Sequence, residues 1–220
     1  MFGVGATTAA ENIHILLLIT LFHYEPLYIR WPSLRVWNSL RGSIADFPDV
    51  VGIIDATPIH NVQRLYYRRD RGYHFLNWQV IVDCDGFFVY SQAGYLGHLT
   101  DAASYAMIPR IGHNCALPLS VDSYILADSG YPTGYPLFVP FSRRGERRLT
   151  ANMQLFNSLL SVHRVRIEHR IGDLKIYRCV SSRFRHRRWR ISGVANLVTA
   201  LANRRRRLFQ SIRRQAALRL

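Results

Sequence analysis

The chain has 220 residues, of which 49% are hydrophobic, and a formal net charge of +15; this supports one sizeable core, read as one main domain plus appendages. Its three cysteines, Cys84, Cys115 and Cys179, are odd in number and lack CxxC spacing, so neither a disulfide framework nor a zinc knuckle is indicated, which fits a reducing, intracellular compartment. The apolar run IHILLLITLF (13–22) is too short for a bilayer span and no basic segment precedes it, so neither a signal peptide nor a membrane anchor is expected.

The charge is unevenly placed. Residues 143–220 hold 20 arginines and the chain's single lysine, Lys175, against Glu146, Glu168 and Asp173, a net +18 that leaves −3 for the first 142 residues. An acidic front and a basic back favour a polyanion such as nucleic acid as partner. Arginine suits phosphate because its planar fork donates two parallel hydrogen bonds. A solvated arginine-rich face is the alternative.

In chain order, FGVGATTAAENIHILLLITLF (2–22) reads as a turn followed by a helix, with Thr7 or Thr8 as N-cap. It is either a plain packing helix or the remnant of a helix-turn-helix. A looser, proline-containing stretch with one short helix leads to residue 49. VVGIID (50–55) reads as a strand ending in an acid, and YHFLNWQVIVDCDGFFVYSQAGY (73–95) as two strands joined by a hairpin at DCDG. DAASYAMIPRI (101–111) reads as helix, SYILADSGYP (123–132) as a strand ending in a second acid, and YPLFVPF (135–141) as a strand between prolines. A long helix is predicted from a Thr150 cap to about Tyr177, and GVANLVTALAN (193–203) is a further helix. The closing RRRRLFQSIRRQAALRL is either an amphipathic helix on a phosphate backbone or a solvated tail, and Arg204, Arg205, Arg206 and Arg207 also fit a nuclear address. The order of elements describes a mixed α/β sheet with helices on its faces.

Two apolar strands each end in an aspartate, Asp55 and Asp128. Singly, each reads as a turn or cap residue. If the strands are neighbours, the two carboxylates lie together and repel unless a divalent cation sits between them, and Mg²⁺ is the natural ion for hard oxygen ligands. In RVRIEHRIGDLK (164–175), Glu168 lies about 40° around a helix from Arg164, and Lys175 returns to about 20°. Such a stripe presents either a carboxylate to a metal with a cation on each side for phosphate, or an ordinary Arg–Glu pair on a wet face. Nine histidines, His60, His74 and His98 among them, show no metal-ligand spacing. Tyr66, Tyr67 and Tyr73, set among Arg64, Arg68, Arg69 and Arg71, are either base-stacking groups or exposed strand aromatics.

In order, IIDAT, RRDRGYHFLNWQVIVDCDG, GHLTD, LADSGYP, LFVPF and RVRIEHRIGDLK resemble the DDE endonuclease domain of PIF/Harbinger-type transposases and the nucleases derived from them, over about residues 26–203. Related transposases carry a helix signature of Tyr, two residues, Arg, three, Glu, six, Lys; Arg164, Glu168 and Lys175 match it, with Ser161 in place of the Tyr and Ala56 in place of the Gly usual after the first acid. The resemblance implies an RNase H-like mixed sheet flanked by helices, with a partial N-terminal helix-turn-helix-like segment (1–48), an endonuclease domain (49–203) and a basic C-terminal tail (204–220). It implies a DNA endonuclease using Mg²⁺ or Mn²⁺, with Asp55, Asp128 and Glu168 as catalytic and metal-holding carboxylates. Asp101 of GHLTD matches a recurring family position and reads as a helix cap. Arg164, Lys175 and Arg204–Arg207 would contact DNA, in the nucleus, in a chain that acts as a homodimer or with a separate DNA-binding protein. The alternative is a catalytically silent DNA-binding or adaptor protein derived from a truncated transposase.

Overall fold

The computed structural model describes residues 5–19, 23, 25–60, 67–68, 73–142, 148–184 and 188–217. Its centre is β1 (Val50–His60), a strand longer than its apolar start suggests, because Pro58 and the alternating tail IDATPIH continue the pairing. Asp55 therefore stands in mid-strand and not at its end. β1 pairs antiparallel with β3 (Tyr73–Asp83), to which the short β2 (Tyr67–Arg68) adds. β3 turns through residues 84–87 into β4 (Phe88–Leu96), the hairpin that DCDG announces. On its other edge β1 pairs in parallel with β7 (Tyr124–Leu126), which pairs in parallel with β8 (Leu137–Phe138). The sheet body thus runs β4-β3-β1-β7-β8. A separate parallel pair, β5 (Ile111–Gly112) and β6 (Leu117–Pro118), occupies the end of the stretch predicted as helix; only α4 (Asp101–Tyr105) is helical there.

Three further helices precede the sheet or flank it early: α1 (Ala6–Ile19), α2 (Glu25–Tyr28) and α3 (Leu34–Leu40). Thr7 and Thr8 fall inside α1, so neither caps it. α5 (Ala151–Lys175) starts as expected at Thr150, whose hydroxyl accepts the Met153 amide at 3.3 Å. After α6 (Arg178–Ser181), α7 (Ile191–Ala217) runs unbroken from the apolar GVANLVTALAN through Arg204–Arg207.

Alternation along the strands splits the interior into two layers. On one face Ile53, Trp78, Val80 and Leu126 pack with Leu160, Ile167 and Leu174 of α5, Val180 of α6 and Ile191, Ala195 and Val198 of α7. On the other, Val51, Ile54, Ile81 and Ile125 pack with Trp37 and Leu40 of α3 and with Leu119, Tyr131 and Leu137. The centre of the sheet tolerates no bulk at Gly52, where an added Cβ would stand 2.9 Å from the Val82 carbonyl oxygen. Among the described residues no helix is long and apolar enough to cross a membrane.

Candidate active site at the β1–β7 edge

Register brings the two strand aspartates together. Ile53 of β1 is level with Leu126 of β7, and two residues further along each chain stand Asp55 and Asp128. Asp55 is opposite Val80 in β3, and Val80 belongs to the layer covered by α5, so the Asp55 carboxylate faces that helix. There α5 supplies Arg164, whose Nη2 donates to Asp55 Oδ2 at 3.3 Å and whose Nη1 donates to Asp128 Oδ1 at 3.1 Å. Each carboxylate also accepts the next backbone amide: Ala56 N–H at 2.8 Å for Asp55 and Ser129 N–H at 2.7 Å for Asp128.

These contacts do not fully answer the charge. Burial raises the Asp55 pKa to about 6, against the lowering effect of Arg164 and of the Ala56 amide, with Asp128 and Asp101 adding repulsion. A half-buried carboxylate held this far from its ordinary range has capacity for more positive charge than one guanidinium supplies. Asp55 and Asp128 are hard oxygen donors bridged by one guanidinium, the kind of donor atom a divalent cation takes. Glu168 is exposed on α5, one turn beyond Arg164. Among the described residues no cluster of three or more His, Cys, Asp and Glu side chains is assembled for metal binding, so the convergence seen is that of Asp55, Asp128 and Arg164.

Lys175 does not extend outward from the same stripe. Its Nζ donates to the Pro58 carbonyl and, at 3.5 Å, to the Val180 carbonyl, and burial lowers its pKa to about 8. It tethers the end of α5 to the strand that carries Asp55. Of the C-terminal arginines, Arg204 and Arg205 are exposed, Arg206 donates to the Asp85 carbonyl, and Arg207 lies over the Tyr28 and Phe87 rings at 5.2 and 5.9 Å. Arg64, Tyr66, Arg69 and Arg71 lie outside the described residues, as do the side chains of Tyr67, Arg68 and Tyr73.

Asp101 corrects the helix-cap reading. The cap of α4 is Thr100, whose hydroxyl accepts the Ala103 amide at 3.1 Å. Asp101 instead accepts from Asn77 Nδ2 at 3.4 Å, and its Oδ2 lies 2.9 Å from the position a Cβ on Gly130 would take. Its carbonyl accepts from Gln79 Nε2 at 3.4 Å, and Gln79 Oε1 accepts from Tyr131 at 3.3 Å. Asp101 and Tyr131 thus adjoin the turn after Asp128, and with them opens a cavity of about 670 Å³ lined by Thr100, Ser129, Pro132 and Pro140. Periodicity carried no signal for this network, since its members come from three separate segments, β3, the start of α4 and the turn after Asp128.

The model of the DDE superfamily endonucleases matches residues 51–203. No curated protein and no solved structure matches the chain. The endonuclease domain of that family is RNase H-like, in agreement with a mixed sheet flanked by helices. With residues 51–203, most of its length, matched, the chain belongs to the DDE superfamily endonucleases.

Proposed function

We propose that this chain is a transposase-derived nuclease of the PIF/Harbinger type that hydrolyses phosphodiester bonds in DNA, with Asp55, Asp128 and Glu168 holding Mg²⁺ or Mn²⁺. The observation that carries the reading is the meeting of Asp55 and Asp128, from strands far apart in sequence, under one α5 arginine. Bound in pairs, such ions supply positive charge to the phosphoryl group and lower the pKa of the attacking water. Everything else falls to side chains of this protein. Asp55 stands in β1 and Asp128 two residues past the end of β7, and Arg164 bridges the two, which orders the carboxylates before substrate arrives. Arg164 compensates both in the resting site and is placed to turn its fork toward a phosphate oxygen. Glu168 stands one helical turn on, on nearly the same face of α5, as the third carboxylate. Lys175 acts on the site by tethering the α5 end to β1; it reaches a phosphate only by releasing the Pro58 and Val180 carbonyls.

Exposed Arg204, Arg205 and Arg207 on α7 supply salt-sensitive affinity for the DNA backbone, and the Arg204–Arg207 run serves as a nuclear address. In this reading residues 49–203 form the catalytic unit, 1–48 a helical segment that includes a helix-turn-helix remnant, and 204–220 a basic extension. The test is nicking of supercoiled plasmid by the wild type and Glu168→Gln side by side. Nicking is expected in Mg²⁺ or Mn²⁺, not in EDTA, and not by the variant, whose melting curve stays native. Equal cleavage by both proteins would reject the assignment.

A further inference from the structure

Away from the paired aspartates, the groove between α5 and α7 contains a buried arginine whose hydrogen-bonding capacity is only partly used. Arg170 is 7% exposed. Its Nη1 donates to Asp173, one turn along α5, and its guanidinium lies over the Phe88 ring at 4.9 Å. Among the described residues, Nε and Nη2 have no hydrogen-bond partner. Burial lowers the Arg170 pKa, with Asp173 opposing that shift. Leaving a buried donor unanswered is costly, so two on one guanidinium point to a partner the protein itself does not provide.

The surroundings say what kind of partner. Arg170 borders a cavity of about 340 Å³ shared with Asp173, Arg205, Arg206 and Phe209. Arg206 is fixed there by donating through Nε to the Asp85 carbonyl at 2.7 Å, and Arg205 lies over the Phe209 ring at 5.4 Å. Three guanidinium groups thus face one lining carboxylate, and that carboxylate is already engaged by Arg170. A compact, multiply accepting anion suits such a set, because planar forks donate in pairs to phosphate oxygens. Arg170 is six residues from Arg164, which places it roughly 120° away around the α5 axis, on a different face from the Asp55–Asp128 site.

We propose that this groove is a phosphate subsite, with Arg170 as its buried anchor and Arg205 as its outer arm, that takes a backbone phosphate of DNA at a distance from the cleavage centre. The choice of DNA over free phosphate rests on the nuclease reading; the anion chemistry does not. A strand held there and at Asp55 follows the surface of α5 between two of its faces.

The experiment measures binding in EDTA, so it is independent of cleavage. Affinity of the full chain for a labelled short duplex is followed against salt for the wild type, Arg170→Gln and the exposed Arg205→Gln. Inorganic pyrophosphate is titrated in parallel by ³¹P line broadening. Each variant is expected to lower the slope of log affinity against log salt by about one, the signature of one lost phosphate contact, and to weaken pyrophosphate binding. If Arg170→Gln fails to fold, pyrophosphate binding by Arg205→Gln decides, weakened for a subsite and unchanged without one, because Arg205 already contributes to the duplex slope as an exposed α7 arginine. Wild-type slopes together with wild-type pyrophosphate binding in the folded variants overturn the subsite, and pyrophosphate binding lost with unchanged duplex slopes overturns the DNA assignment. Loss of nicking in Glu168→Gln leaves these slopes untouched, and its absence does too, so the two readings fail separately.

Discussion

Arg164 spans the two strand aspartates, donating to Asp128 Oδ1 at 3.1 Å and to Asp55 Oδ2 at 3.3 Å. It is the largest influence holding the Asp55 pKa down against burial. Replacing Arg164 with Gln is expected to lower stability by about 1–3 kcal/mol, since it leaves a half-buried carboxylate without its cation. Mg²⁺ should recover part of that loss. Urea unfolding in Mg²⁺ and in EDTA measures both, and an equal loss in the two buffers counts against cation binding between the aspartates.

Asp83, at the end of β3, is 9% exposed and its pKa is raised to about 6, burial being the main cause. An acid with a raised folded-state pKa stabilises the fold below its unfolded value, near 4, and loses that contribution as pH rises through about 6. Asp83→Asn keeps an acceptor for the Phe87 amide, which Asp83 Oδ1 binds at 2.8 Å. The variant should match the wild type near pH 4 and exceed it at neutral pH by on the order of 2 kcal/mol. Thermal unfolding across that range checks it; a constant difference would contradict it.

Lys175 gives the opposite sign. Burial lowers its pKa from 10.5 to about 8, so the folded chain holds fewer protons there than the unfolded one. Stability should rise as pH rises from about 8 to about 10.5. In Lys175→Met that increment should vanish, with the tyrosine titrations common to both proteins cancelling in the comparison. An identical slope in the two would remove the buried-ammonium account.

Gly52, the third residue of β1, sits three residues before Asp55. A methyl group there meets the Val82 carbonyl oxygen at 2.9 Å, a backbone atom that cannot turn aside. Gly52→Ala should therefore force β1 from β3 and lower stability by about 2 kcal/mol or more. Chemical denaturation measures the effect, and a neutral outcome would mean that the sheet centre can open without loss.

Local rules accounted for the hairpin at DCDG, the Thr150 cap and the long helix that carries Arg164 and Glu168, because turn chemistry, capping and periodicity act over a few residues. They missed the length of β1, where a polar, proline-containing tail is held in the sheet by pairing with the apolar β3. They also assigned the α4 cap to Asp101 when Thr100 performs it. The convergence of Asp55 and Asp128 followed conditionally from the sequence: two acids after two apolar runs meet only if those runs are neighbours.

The sequence by itself determined the strongly basic C-terminal part, the element types around each motif and the residues that match a DDE endonuclease. Only tertiary structure decided that β1 and β7 pair in parallel, that Arg164 bridges Asp55 and Asp128, and that Lys175 turns inward while Arg170 is buried with unmet donors. The reason is that charge and periodicity are properties of a chain segment. Strand neighbourhood and the burial of one guanidinium rather than another are set by which segments pack together.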